Sequence, residues 1–176
     1  MSAFNVDSGK MNFFNIVPNI PGEEEILAAE AAEYAERTGN TVVLYCLTLH
    51  PEGYPAMKKA EKYIESFRKF KAALSGSKAR AGILMQSILG HWPRVDKDEE
   101  QWTRSVNCRG DKVRFCPLDE NFRKYIYDIS VMCAKEEPVL ILTDDDVRAF
   151  SPYAECFCPL HTKEFSLLMG KEFTHS

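Results

Sequence analysis

Charged side chains capable of acid–base chemistry follow the last apolar run of this sequence. Three adjacent carboxylates, Asp144, Asp145 and Asp146, follow the apolar run 138–142 after a single threonine, and Arg148 is close behind them. Neighbouring carboxylates repel one another, so one of them tends to have a raised pKa or a cationic partner, which Arg148 would supply. Side chains alternate along an extended chain, so Asp144 and Asp146 point to one side. We predict that Asp144 and Asp146 are catalytic and that Asp145 and Arg148 bind substrate; the alternative is a solvated acidic loop that caps the next helix.

Two histidines and a tryptophan follow the two preceding apolar runs. His50 directly follows the run 41–49, and His91 and Trp92 follow the run 81–89 after a glycine. An imidazole can hydrogen-bond a substrate hydroxyl, transfer a proton or bind a metal, and an indole plane suits the C–H side of a sugar ring. We predict that all three bind substrate. The alternatives are histidines that hydrogen-bond to the backbone and a tryptophan that packs in a lid. For Trp102 the same two interpretations are open: stacking on a sugar or packing in a lid.

The cysteines suggest a metal site only weakly. Cys156, Cys158 and His161 lie close together in the sequence and could be joined by Cys108 or Cys116. Structural zinc sites favour cysteine pairs two to four residues apart, whereas a single residue separates Cys156 from Cys158. We therefore expect buried or loop thiols and predict no metal and no cofactor. The glycine-rich motifs of phosphate loops and dinucleotide-binding folds do not occur.

The elements that would position these residues repeat one pattern, an apolar run followed by a polar or amphipathic stretch. The apolar runs are typical of strands buried on both faces, and a long polar stretch at 94–115 indicates a functional loop or a small hairpin. The predicted strands are residues 11–17, 41–49, 81–89 and 138–142, and the predicted helices are residues 23–38, 57–74, 119–133 and 161–169.

This alternation predicts a single α/β domain over residues 1–176, with parallel strands joined by right-handed crossovers. Two architectures fit: four βα units of an incomplete (β/α)8 TIM barrel, or an open doubly wound sheet. In both, ligand sites lie beyond the carboxyl ends of the strands. The aspartates, histidines and tryptophan would therefore meet at one edge.

The composition argues against nucleic acid and membranes as binding partners. Lys and Arg number 22 against 26 Asp and Glu, so the formal net charge is −4, and 45% of residues are hydrophobic. A mildly acidic chain has no electrostatic attraction for nucleic acid or an anionic membrane. Neither a signal-peptide pattern nor an apolar run of about 20 residues occurs. We predict a cytoplasmic protein.

Five segments together resemble the N-terminal half of glycoside-hydrolase-like, β-galactosidase-like TIM-barrel proteins, over roughly residues 12–173. They are LTLHPEG at 47–53, QSILGHW at 86–92, RFCPLDENFRKYI at 114–126, LTDDDVR at 142–148 and CFCPLH at 156–161. The resemblance implies a carbohydrate substrate or ligand and a general acid at the end of the fourth strand. In this sequence the three aspartates follow the fourth strand, where such glycosidases commonly have Asn-Glu. The resemblance implies that the nucleophile would come from a seventh strand.

These expectations describe a carbohydrate-active module that is incomplete or inactive alone. A full barrel takes about 250 residues, so we expect an enzyme only if a second half completes it, and self-association through exposed sheet edges. One alternative is a non-catalytic α/β domain that binds a ligand or partner. Another is a metal-dependent hydrolase that uses His50, His91 and the three aspartates.

Overall fold

The computed structural model describes residues 14–89, 101–144 and 156–174, in which a parallel sheet alternates with helices. The sheet has four strands in the order β1-β2-β3-β6, all parallel. Its strands are β1 (Asn15–Val17), β2 (Val42–Thr48), β3 (Arg80–Gln86) and β6 (Ile141–Thr143), and the helices between them are α1 (Glu24–Thr38), α2 (Met57–Ala73) and α3 (Glu120–Lys135). The predicted α/β fold is confirmed, and it is compatible with a partial barrel or an open doubly wound sheet.

A hairpin and a fourth helix complete the described structure. Strands β4 (Arg104–Val106) and β5 (Lys112–Phe115) pair antiparallel within the long polar stretch, which confirms the hairpin expected there. Their loop turns at Gly110, whose φ of 83° is open to glycine at no steric cost. Helix α4 (Pro159–Met169) follows near the end of the chain.

The helix boundaries follow local sequence signals. Helix α1 ends where Gly39 adopts a left-handed conformation with φ 73°, and its N–H group donates to the carbonyl of Ala35. Helix α3 begins after Asp119, whose side chain accepts hydrogen bonds from the backbone N–H groups of Asn121 and Phe122. The longest described helix, α2, has 17 residues, and none of the described helices has the length and apolar character needed to cross a membrane.

One face of the sheet packs against α1, α2 and α3. The ring of Tyr45 in β2 stacks on Phe70 of α2 with centroids 4.5 Å apart, and Tyr125 of α3 donates a hydrogen bond to the carbonyl of Leu49. The alternate residues of the central strands fill this core: Val43, Tyr45, Leu47, Ala81, Ile83 and Met85. The helix-covered face therefore contains most of the buried apolar surface.

A buried polar chain joins the first two helices to the sheet. Glu24, in the first turn of α1, accepts a hydrogen bond of 2.6 Å from Ser66 of α2, and Ser66 also lies 2.9 Å from the hydroxyl of Tyr45. The bond from Ser66 lowers the pKa of Glu24. The carboxylate thus stays charged while it links three elements.

The outer strands are less buried than their sequences predict. On the face away from the helices, Leu44 and Leu84 of the central strands are buried, whereas Ile16 of β1 is 55% exposed and Leu142 of β6 is 37% exposed. The prediction that the fourth apolar run is buried on both faces is therefore wrong. The physical reason is its position, because β6 is an outer strand of the described sheet and pairs only with β3.

Candidate functional site

Asp144 lies where the carboxyl ends of β3 and β6 meet. Its side-chain oxygen accepts a 3.1 Å hydrogen bond from the backbone N–H of Ser87, and its own N–H donates to the carbonyl of Met85 at 3.2 Å. Ser87 has a φ of 58°, a conformation that non-glycine residues adopt rarely. The carboxylate is therefore fixed at this edge, as predicted for Asp144.

Polar side chains of β2 and β3 lie at the same edge. The side-chain oxygen of Gln86 accepts hydrogen bonds from Cys46 at 3.1 Å and from Thr48 at 3.5 Å. Burial, and then the negative charge of Asp144, raise the pKa of Cys46, so this thiol is protonated near neutral pH. We call Cys46, Thr48, Gln86, Ser87 and Asp144 the strand-end cluster. It combines hydroxyl, amide and carboxylate groups on three neighbouring strands.

His50 lies beyond β2 and faces the beginning of α2. Its Nε2 atom is 3.3 Å from a carboxylate oxygen of Glu52 and 3.3 Å from Nζ of Lys59. Lys59 also forms a 2.8 Å ion pair with the same oxygen of Glu52. The side chain of His50 is thus held in a charged group on the α2 side of the edge.

The other predicted site residues are not placed by the structure. His91, Trp92, Asp145, Asp146 and Arg148 lie outside the described residues, so their convergence with Asp144 and His50 stays a prediction.

The sequence allows Trp102 either to stack on a sugar or to pack within the protein. In the structure it packs against aromatic rings. It is half-buried, and its ring centroid lies 5.2 Å from Phe115, 6.1 Å from Phe122 and 5.5 Å from Tyr125. These contacts fix the hairpin on α3.

Three cysteines and a histidine form the most compact group of possible metal ligands in the described residues. The ligand atoms of Cys116, Cys156, Cys158 and His161 all lie within 4.8 Å of one another. Sγ of Cys116 is 3.2 Å from Nδ1 of His161 and 3.4 Å from Sγ of Cys158, and Cys158 is itself 3.4 Å from His161. We call these residues the Cys/His cluster.

Backbone hydrogen bonds to the hairpin bring the Cys/His cluster together. The N–H of Cys116 donates to the carbonyl of Thr103 at 2.7 Å, and the N–H of Phe157 donates to the carbonyl of Val106 at 2.7 Å. Strand β4 and the residue before it therefore hold the segment before α3 and the segment before α4 in adjacent positions. Asp119 strengthens this arrangement by accepting the N–H of Thr103 at 2.8 Å.

The thiols of the Cys/His cluster differ in how readily they ionise. Burial raises the pKa of Cys116 to about 12 and also raises the pKa of Cys158. Burial opposes ionisation of Cys156 too, but the backbone N–H groups of Cys158 and Val106 outweigh it and lower the pKa. Burial lowers the pKa of His161, which favours the neutral imidazole that binds metals. A bound divalent cation would favour the deprotonated forms of Cys116 and Cys158 despite their raised pKa values.

The dimensions and the ligand types fit zinc. In a tetrahedral site with Zn–S bonds of about 2.3 Å, neighbouring ligand atoms are about 3.8 Å apart. The closest pairs here are separated by 3.2–3.4 Å, so a small outward movement would admit the ion. Three sulfur atoms and one imidazole nitrogen form one of the common sets of structural zinc ligands.

The sequence contains a signal for this cluster that spacing rules do not detect. The tetrapeptide Phe-Cys-Pro-Leu occurs twice, at 115–118 and at 157–160, and each copy immediately precedes or begins a helix. Cys116 and Cys158 are the cysteines of the two copies. The expected alternative partner, Cys108, is exposed in the hairpin loop and does not belong to the cluster.

Comparisons with family models, curated proteins and solved structures found no match. The likeness to glycoside-hydrolase-like barrels therefore rests on the sequence motifs alone.

Proposed function

We propose that the chain binds one Zn²⁺ ion through Cys116, Cys156, Cys158 and His161, and that the ion has a structural role. The observation that carries this proposal is the convergence of four ligand atoms, from two segments far apart in sequence, within 4.8 Å. The sequence favoured unligated thiols, and the geometry supports the alternative that it left open.

A structural role follows from the number of ligands and from the packing of α4. Four protein ligands complete a tetrahedral shell, whereas catalytic zinc sites keep a position for water or substrate. Helix α4 has no buried residue of its own, while Cys158 at its beginning is fully buried. The ion would attach the beginning of this helix to the hairpin and to the segment before α3.

Metal analysis of the purified chain tests this proposal. We expect about one equivalent of zinc, measured by mass spectrometry of the metal and by colorimetric release. Cys116→Ser and Cys158→Ser should remove it. Cys108→Ser is the matched control, because that thiol is exposed and outside the cluster, and it should retain the metal. Metal-free wild-type protein that also takes up no added zinc under reducing conditions would refute the proposal.

A second candidate function is carbohydrate binding at the strand-end cluster. It is supported by the hydroxyl, amide and carboxylate groups that Thr48, Gln86 and Asp144 bring to one edge, because a few fixed polar groups orient small ligands. It is also supported by the motifs that resemble glycoside-hydrolase-like barrels. Glycoside hydrolysis uses two carboxylates about 5–9.5 Å apart, and Asp144 is the one that the described residues place at this edge. The function proposed here is sugar binding.

Nuclear magnetic resonance titration with monosaccharides and disaccharides tests sugar binding. We expect saturable shifts at Thr48, Gln86 and Asp144, and we expect Asp144→Asn to weaken them. Asp128→Asn is the control, since Asp128 lies on α3 and forms an ion pair with Lys124. If no saccharide perturbs the strand-end resonances, the sugar assignment is wrong while the zinc proposal stands.

A further inference from the structure

A cleft of about 380 Å³ opens beside the first turns of α2. The described residues that line it include three lysines, Lys58, Lys59 and Lys62, and one carboxylate, that of Glu52. These four side chains have a net charge of +2, although the whole chain has a net charge of −4. The lysines therefore favour an anion in the cleft, although the chain as a whole is negatively charged.

The lysines of the cleft have different roles. Lys59 is held in place, because its Nζ lies 2.8 Å from Glu52 and donates to the carbonyl of His50 at 3.3 Å. Lys58 and Lys62 are exposed, and among residues 14–89, 101–144 and 156–174 no carboxylate lies within ion-pair distance of either. They are four residues apart on one helix, where like charges repel.

The remaining cations of α2 contrast with this pair. Lys69 forms an ion pair with Glu65 at 3.3 Å, and Arg68 forms one with Glu136 at 2.6 Å. Lys71 donates to the carbonyl of Glu136 at 2.5 Å. The cations in the later part of the helix are thus neutralised or hydrogen-bonded within the protein. Within the described part of the chain, Lys58 and Lys62 have no such partner.

Two tyrosines add an apolar surface to the cleft. Tyr54 is 69% exposed, and Tyr63 is half-buried with Nζ of Lys59 5.7 Å from its ring centroid. A ligand with a charged group and a ring could place the charge between Lys58 and Lys62 and the ring against Tyr54. Lysine is a common partner of phosphate, to which it presents a compact charge with three donors.

We propose that this cleft binds a small phosphorylated molecule, with Lys58 and Lys62 on the phosphate and Tyr54 against the ring that carries it. The proposal does not depend on zinc or on the strand-end cluster, because it uses none of their residues.

The test is a titration of the full chain, as purified, with inorganic phosphate, glucose 6-phosphate and glucose, followed by nuclear magnetic resonance. We expect saturable shifts within residues 52–63 for the two phosphates and none for glucose. Lys58→Ala with Lys62→Ala should weaken phosphate binding about tenfold or more, as expected when two charge-assisted contacts are lost. Tyr54→Ala should weaken glucose 6-phosphate binding and leave phosphate binding unchanged.

The control removes two lysines outside the cleft. Lys69→Ala with Lys78→Ala lowers the net charge equally, and both residues are exposed and pair with other carboxylates. This variant should keep the wild-type affinity. If phosphate causes no saturable shift, or if both double variants weaken it equally, the cleft does not recognise phosphate. If glucose 6-phosphate binds no more tightly than phosphate, the role of Tyr54 is wrong.

Discussion

The helices of this protein begin in two opposite ways. Helix α3 begins after Asp119, a carboxylate that accepts two backbone N–H groups, and α4 begins after Cys158, a thiol of the Cys/His cluster. Helix α2 begins after Ala56 with no side-chain cap, and its first turn contains Lys58 and Lys59. Helices α3 and α4 therefore have anions or potential anions at the end where the helix dipole is positive. Helix α2 has cations at that end.

The difference distinguishes groups that stabilise the fold from groups that are available to a ligand. Asp119 accepts N–H groups that the helix leaves unsatisfied, and the cysteines would complete the proposed zinc shell. In both cases the partner is held within the protein. Lys59 is paired with Glu52, but Lys58 adds positive charge to an end that is already positive, which costs stability unless an anion binds. Three predictions test this contrast, from the largest effect to the smallest.

Removing the metal from the Cys/His cluster should have the largest effect. We expect Cys158→Ala to lower the free energy of unfolding by about 4 kcal/mol or more, the range in which loss of a metal falls. A chelator should reproduce this loss in the wild-type chain and have no further effect on the variant. Chemical denaturation with and without zinc measures both.

The matched variant Cys108→Ser should unfold like the wild type, since its thiol is exposed. Equal stability of the wild-type chain with and without chelator would contradict a structural ion.

Removing the carboxylate at the beginning of α3 should have an intermediate effect. Asp119→Ala eliminates a helix cap and the acceptor of the Thr103 N–H, so we expect the free energy of unfolding at pH 7 to fall by about 2 kcal/mol. Urea denaturation measures the loss. Glu120→Ala, in the exposed first turn of α3, should cost much less.

The cost of Asp119→Ala should also depend on pH. Burial opposes ionisation of Asp119, but N–H groups of Thr103 and Phe122 outweigh it and hold its pKa below the ordinary value of 3.8. A depressed pKa in the folded state stabilises the fold fully above the unfolded-state pKa. The difference between wild type and variant should therefore be constant above about pH 5 and shrink as the pH falls below 3.8. A difference that grows on acidification would contradict this assignment.

Reversing a charge at the beginning of α2 should have the smallest effect and the opposite sign. Lys58→Glu places a carboxylate near the positive end of the helix dipole, so we expect a gain of about 0.5 kcal/mol in the free energy of unfolding. The same variant should lose phosphate binding in the cleft. Lys58→Gln should give a smaller gain, and a loss of stability in both variants would show that Lys58 has a structural partner.

The sequence predicted the elements better than it predicted the site. Helix α3 was placed correctly because Asp119 and the apolar spacing of Phe122, Ile129 and Cys133 are local signals. Asp144 was placed correctly because parallel strands end at one edge. The Cys/His cluster was not favoured, because 42 residues separate Cys116 from Cys158, and only pairing with the hairpin brings them together.

The sequence by itself determined which segments become strands and helices, where several of them begin and end, and that the strands run parallel. These properties follow from periodicity, capping residues and crossover length, all of which act over short distances. Only the tertiary structure decided that the fourth run forms an exposed outer strand and that four ligand atoms meet beside α3 and α4. Each depends on which distant segments pack together, and a local pattern does not specify that.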